Sequence, residues 1–270
     1  MELRAENVNY RYASGFQITD ICARFGGKIT AIIGPNGSGK STLIKCLANQ
    51  VNWSGDLYYD DKRIRRSDKD FYLSNLSYLP QTSLMGASVT VFEAILLGLL
   101  NELTMFVTKA QERRVEDVIN ALELGGVAHM GVDELSGGQL QMALLAQAII
   151  KEPKILMLDE PLNHLDVHKK FAFLNCIAKL TAEKEMVAII VLHDINLAAR
   201  YADSVVVMQR GAVYAQGKAG DVITKDTLCE VYAVDCELHR SREGRPVVEF
   251  VGIAREMSRA CAIDYEEAAI

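Results

Sequence analysis

Ile29-Thr30-Ala31-Ile32-Ile33 runs directly into Gly34-Pro35-Asn36-Gly37-Ser38-Gly39-Lys40-Ser41-Thr42. A short apolar run, a glycine loop and a helical stretch from Lys40 to Asn49 predict strand, loop and helix in that order. The GxxxxGK[ST] spacing has a physical basis. Glycines let consecutive backbone N–H groups turn inward around phosphate oxygens. The helix that follows points its positive end at the same anion, and Lys40 reaches the outer phosphates. Ser41 then offers its hydroxyl to Mg2+, which takes oxygen ligands.

Downstream, strands and helices alternate. Ile155 to Leu158 and Val187 to Leu192 are short, continuous apolar runs, as expected of parallel strands covered on both faces. Phe171 to Leu180 between them reads as a crossover helix, completing a βαβ unit. Asp159 and Glu160 end the first of these strands, at the sheet edge where α/β proteins bind ligands. Asp159 is assigned to Mg2+ through water, and Glu160 to the attacking water as general base. In isolation two such acids are as often merely solvated; beside a phosphate loop the functional reading dominates. His193 follows the second strand at the same edge, although position alone leaves it equally open to a structural hydrogen-bonding role. Gln81, after Leu79-Pro80, can donate its amide or accept toward the metal. Tyr12 can stack on a base. Judged singly, these two are an ordinary surface glutamine and a half-buried strand aromatic.

From about Thr82 to Lys151 the period becomes helical, with Val89 to Leu97, Gln111 to Leu124 and Gln139 to Ile150 as candidate helices. Pro153 closes this insertion. Leu135-Ser136-Gly137-Gly138-Gln139 opens its last helix and makes a second backbone anion site at a helix start. The local alternative is a plain serine cap beside a flexible hinge. Because the segment belongs to the insertion, it is expected not to fold back onto its own phosphate loop. Two copies arranged head to tail would place each Ser-Gly-Gly over the other's nucleotide. Elsewhere, Leu3 to Tyr10, Phe16 to Phe25 and Asp56 to Tyr59 read as strands. Ser204 to Met208 and Ala212 to Ala215 flank Arg210-Gly211 as a hairpin, Pro246 to Val251 reads as a further strand, and the acidic end is expected to fray.

Bulk composition narrows the classes further. Half the 270 residues are apolar and 24% are charged, which suits an ordinary packed core and argues against wholesale disorder. The net charge of −6 argues against a nucleic-acid partner. Six scattered cysteines without a CxxC pair read as free thiols. The N-terminus carries no signal-peptide pattern. The longest apolar runs, Ala94 to Leu100 and Val187 to Leu192, fall far short of the ~20 residues that span a bilayer.

Together these motifs resemble the ATP-binding cassette superfamily over nearly the whole chain. Gly34 to Thr42 matches its Walker A, Gln81 its Q-loop, Leu135 to Gln139 its signature and Ile155 to Glu160 its Walker B. Leu165-Asp166 matches the D-loop, His193 the switch histidine and Tyr12 the base-stacking aromatic. Seven motifs in the family's order lift Tyr12, Gln81 and His193 out of their ordinary readings. The implied fold is α/β: a P-loop NTPase with a RecA-like parallel sheet core, an N-terminal antiparallel β subdomain and an inserted α-helical signature subdomain. The implied organisation is one nucleotide-binding domain over 1–270. Residues 1–81 and 152–250 form its core with the β subdomain, 82–151 the helical subdomain, and 251–270 a C-terminal tail.

The resemblance further implies an ATPase that binds ATP and Mg2+ and works as a head-to-tail dimer, with Asp166 and the Ser136 segment at the shared sites. Its partners are a second copy, transmembrane permease subunits docking just after Gln81 and, indirectly, a solute-binding protein, with the chain peripheral on the cytoplasmic face of the membrane. Val191 to Asp203 is similar to the branch that imports iron chelates, haem and cobalamin, and Val91 to Gly98, Asp221 to Ile223 and Val231-Tyr232 agree with that branch. Two positions depart from the family: Gln139-Leu140-Gln141-Met142 stands where arginines are commoner, and Leu162 where threonine is. The competing classes are a soluble cassette ATPase of the iron–sulfur assembly type, a DNA-repair clamp (disfavoured because its long heptad insertion is missing), and an ATPase of another metal importer or an exporter.

Overall fold

The computed structural model describes residues 1–81, 89–102, 106–163 and 165–254. The chain opens with β1 (Glu2–Arg11), β2 (Gln17–Gly26) and β3 (Ile29–Ile33), then α1 (Lys40–Leu47). Next come β4 (Ser54–Tyr59), β5 (Lys62–Ile64), α2 (Lys69–Asn75) and β6 (Leu76–Leu79). The described part of the following stretch is helical, with α3 (Val91–Leu96), α4 (Lys109–Ala121) and α5 (Gly137–Ile149). Alternation then resumes through β7 (Ile155–Asp159), α6 (Val167–Glu183), β8 (Val187–Val191), α7 (Ile195–Tyr201), β9 (Ser204–Gln209) and β10 (Ala212–Gly217). The chain ends in α8 (Ala219–Val222), α9 (Lys225–Tyr232), β11 (Val234–Arg240) and β12 (Pro246–Ile253).

A six-stranded sheet in the order β10-β9-β3-β8-β7-β6 forms the centre. Its strands β9, β3, β8, β7 and β6 are parallel, and β10 closes one edge as an antiparallel hairpin partner of β9. A four-stranded antiparallel sheet, β2-β1-β4-β5, packs beside it, and β11 pairs β12 as a separate ribbon. Every residue of β3, β7 and β8 is buried, because alternate side chains enter two different cores. Ile32, Met157, Ile189 and Val206 face α1 and the antiparallel sheet, while Ala31, Leu158, Ile190 and Val207 face the helices that include Phe173 and Leu145. Among the described residues no helix is long and apolar enough to cross a membrane.

Several elements differ from the sequence expectations. Residues 62–79, left without assignment, supply β5, α2 and the edge strand β6. The C-terminal strand has a partner, β11, whose alternation is masked by charge in Val234-Asp235-Cys236-Glu237-Leu238-His239-Arg240. The crossover helix runs from Val167 to Glu183, longer than its apolar centre. The docking segment expected just after Gln81, and most of the acidic end, lie outside the described residues.

Candidate active site

The glycine loop leaves β3 at the C-terminal edge of the parallel sheet, where β7 delivers Asp159 and Glu160 and β8 leads into His193. Backbone geometry fixes two of the loop's glycines. Gly34 has φ +151, and a Cβ there would strike the Met208 carbonyl and lie 2.7 Å from Ser38 Oγ. Gly39, at φ +104, would bring a Cβ to 2.8 Å from Ile18 Cγ2. The loop therefore accepts no side chain at either point. Lys40 is buried and its Nζ donates to the carbonyls of Gly34 (2.9 Å) and Pro35 (3.0 Å). Burial pushes its pKa down, opposed by the nearby charges of Glu160 and Asp159.

Asp159 is also buried; desolvation raises its carboxyl pKa, against the hydrogen bond from Ser41. Ser41 Oγ donates to Asp159 Oδ1 at 2.9 Å, and the Tyr78 hydroxyl approaches Oδ2 at 3.4 Å. The hydroxyl and carboxylate give an oxygen-only donor pair, the chemistry that suits Mg2+. Ser38 Oγ, inside the same loop, is buried without a hydrogen-bond partner among the described residues. A phosphate oxygen is a fitting acceptor for it.

Glu160 is the point of convergence. It adopts left-handed backbone geometry (φ 52), and its side chain keeps only 12% exposure. Gln81 Nε2 and Asn163 Nδ2 both donate to its Oε2, at 2.9 and 2.8 Å, and His193 Nε2 stands 2.6 Å from its Oε1. With a carboxylate as acceptor, Nε2 is the protonated ring nitrogen. Asn163 was not singled out from sequence, and three residues after a strand-end acid is the only signal that marks it.

A cavity of about 250 Å3 over the loop is lined by Phe16, Asn36, Gly37, Gly39, Lys40 and Glu160, among others. Phe16 is the aromatic that lines it; Tyr12 packs on Phe16 with ring centres 6.4 Å apart and edge-on against Tyr10 at 4.7 Å. From sequence, Phe16 is marked only as the start of a strand. Thr42 is buried on the first turn of α1.

Ser136 lies in the helical part of the chain and caps α5. Its Oγ accepts from Gln139 N (3.4 Å), and Gln139 Oε1 accepts from Ser136 N (3.0 Å), a reciprocal capping box. Gly137 is the first residue of that helix, and a Cβ on Gly138 would meet the aliphatic stem of Lys169. Asp166 caps α6 by accepting from Lys169 N at 2.9 Å, which lowers its carboxyl pKa. The single chain thus brings Gln81, Glu160 and His193 into direct contact, and Ser41 with Asp159. Ser136 and Asp166 serve as helix caps in it.

The family model for the ABC transporter matches residues 25–163. An uncharacterized ABC transporter ATP-binding protein of Methanocaldococcus jannaschii is 34% identical over 93% of this chain and 99% of its own. The hemin import ATP-binding protein HmuV of Shewanella denitrificans is 34% identical over 82% of this chain and 89% of its own. The ferric enterobactin transport ATP-binding protein FepC of Escherichia coli is 32% identical over 78% and 79%. A putative metal-chelate type ABC transporter, solved facing inward, shares the fold at TM-score 0.79 and 22% identity, over 94% of this chain and 98% of that one. The dimeric structure of a bacterial ABC transporter cassette does so at TM-score 0.71 and 24% identity, over 80% and 98%. The chain belongs to the ABC transporter family, as an ATP-binding subunit with ATPase activity.

Proposed function

We propose that the chain is the ATPase of an importer for iron–siderophore, haem or cobalamin cargo, acting as a head-to-tail dimer on the cytoplasmic face of the membrane. The relatives named for hemin import and ferric enterobactin transport support this reading, as does the stretch from Val191 to Asp203. In it, residues 1–81 and 152–250 hold the nucleotide, and 82–151 carry Ser136 to the partner's site and meet the permease. A solute-binding protein feeds that permease from the other side.

The observation that carries the catalytic part is the convergence of Gln81, Asn163 and His193 on Glu160, close to Lys40. Glu160 takes a proton from the attacking water, and its three neighbours fix the carboxylate before the reaction begins. As ATP binds, the Nε2–H of His193 turns from Glu160 to the γ-phosphate, and Lys40 offsets negative charge as it spreads over the transferring oxygens. The backbone of Gly34, Pro35, Asn36, Gly37, Ser38 and Gly39, with Thr42, cradles the remaining phosphates, and Tyr12 with Phe16 forms the base platform. Ser41, Asp159 and Gln81 would hold Mg2+, which supplies charge neutralisation at the β- and γ-phosphates when bound. From the second copy, Ser136, Gly137, Gly138 and Gln139 close over the γ-phosphate, with Asp166 beside them.

Extraction of the tagged chain from its native membranes tests the transport reading. It is expected with a polytopic membrane protein, and the purified complex in vesicles should accumulate ferric siderophore, haem or cobalamin only with ATP. Recovery as a free dimer with no membrane protein would favour the soluble assembly type.

A further inference from the structure

We propose that a cavity of about 520 Å3, between the starts of α6 and α7 and the β11–β12 ribbon, binds a small aromatic anion that slows ATP turnover. This inference rests on the chain being an ATPase and is independent of the importer reading. The volume falls within the range of about 300–1,000 Å3 that small-molecule sites occupy. Phe171 of α6, Leu197 of α7, and Pro246 and Val247 of β12 give it apolar walls.

The ribbon side of the cavity is fixed in place. Asn196 Nδ2 donates to the Val248 carbonyl at 3.0 Å, and Asn196 Oδ1 accepts from Val248 N at 2.7 Å. Arg245 Nη1 donates to the carbonyls of Ala199 and Ala202, both at 3.2 Å, which satisfies the open end of α7. A site held this way is already shaped for its occupant, so little ordering cost remains on binding.

Charge selects the occupant. Four cations line the cavity, Lys170, Arg200, Arg242 and Arg245, against the two acids Asp194 and Glu243. Arg245 is engaged by the α7 carbonyls, and the Asp194 carboxylate caps α7 by accepting from Leu197 N at 3.0 Å. That leaves Lys170 and Arg242, with Arg200 engaged on the Phe171 ring, against Glu243. The Arg200 guanidinium lies 5.3 Å from the centre of the Phe171 ring, a cation set on an aromatic face. An aromatic ring finds apolar walls and a stacking platform here, and a carboxylate or sulfonate finds Lys170 and Arg242. An inorganic anion leaves the walls unfilled, and a neutral aromatic leaves the cations unmatched.

The cavity also lies one residue along the chain from two residues of the proposed site. Val167, beside Asp166, lines one wall, and Asp194, beside His193, lines another. His193 in turn contacts Glu160 at 2.6 Å. An occupant that bridges the two helix starts ties together segments that must adjust as the catalytic site closes. Turnover falls as a result.

Calorimetric titration of the full-length chain with 2-naphthoate, with ADP saturating the nucleotide site, tests the inference. The expected result is one saturable site, weakened at least tenfold by Lys170→Glu and by Arg242→Glu. Both variants should keep wild-type circular dichroism and basal ATPase activity. 2-Naphthoate should lower wild-type ATPase at least twofold while sparing the variants, and neutral naphthalene should do neither. Binding that is absent, or indifferent to both charge reversals, overturns the site. Binding without any fall in turnover overturns the coupling. Basal ATPase in the same assay reports separately on the enzyme itself.

Discussion

His193 Nε2 and Glu160 Oε1 lie 2.6 Å apart, so the residue that ends one central strand's loop grips the acid that ends the next strand but one from the phosphate loop. Removing that grip should cost chemistry more than binding. His193→Ala is expected to lower kcat roughly 10²–10³-fold, the scale for losing one preorganised donor. ATP affinity, measured by nucleotide titration, should change little. A wild-type kcat would remove His193 from the reacting centre.

Glu160→Gln keeps size but loses basicity, and one of its two acceptor oxygens becomes a donor. Steady-state hydrolysis should fall about 10²–10⁴-fold, the contribution of a positioned general base. Asn163→Ala should give a smaller loss, because it removes one of the two amide donors on Oε2 while Gln81 keeps the other. Rescue of that loss by Asn163→Gln, with KM steady throughout, would separate positioning from folding.

Asp159 carries a cost in the free protein. Burial raises its folded pKa above the unfolded value, so ionisation opposes folding. By linkage, its penalty is fully present above the folded pKa and is relieved as pH falls through that value. Asp159→Asn is therefore expected to raise the melting temperature of the nucleotide-free chain at neutral pH, with the gain shrinking as pH falls. The same variant should lose hydrolysis. A lower melting temperature at pH 7.5 would contradict the assignment of desolvation as the dominant cause.

Ser136 has a capping role separable from catalysis. Ser136→Ala removes the oxygen that accepts from Gln139 N and should destabilise the chain by about 1 kcal/mol, the usual cost of a lost cap. Ser136→Gly should cost only a few tenths of that, because glycine tolerates the cap position. Chemical denaturation of both variants checks the difference.

How legible the molecule was in its sequence depends on where the physics is local. The phosphate loop, the two central apolar strands β7 and β8, and the hairpin β9–β10 are written in contiguous residues, and they formed as expected. The edge strand β6 is only four residues long and includes Ser77, so its alternation carries no period to read. Strand β11 is hidden by charged residues on an exposed ribbon. Asn163 acts through a turn that returns it to Glu160 three residues back, which leaves no periodic mark, and Phe16 lines the cavity of a loop about twenty residues further along the chain. Ser136 shows the opposite limit. Its cap is legible in the Ser-x-x-Gln spacing, whereas its proposed second role needs another copy of the chain.

The central claim is that one chain is half an enzyme. Gel filtration with ATP tests it most directly, using Glu160→Gln to slow hydrolysis and Ser136→Arg added in the same chain. Glu160→Gln alone is expected to elute as a dimer with two ATP bound. The double variant should elute as a monomer that still binds ATP. A double variant that remains dimeric with ATP, or a single variant that never dimerises, would contradict the composite site.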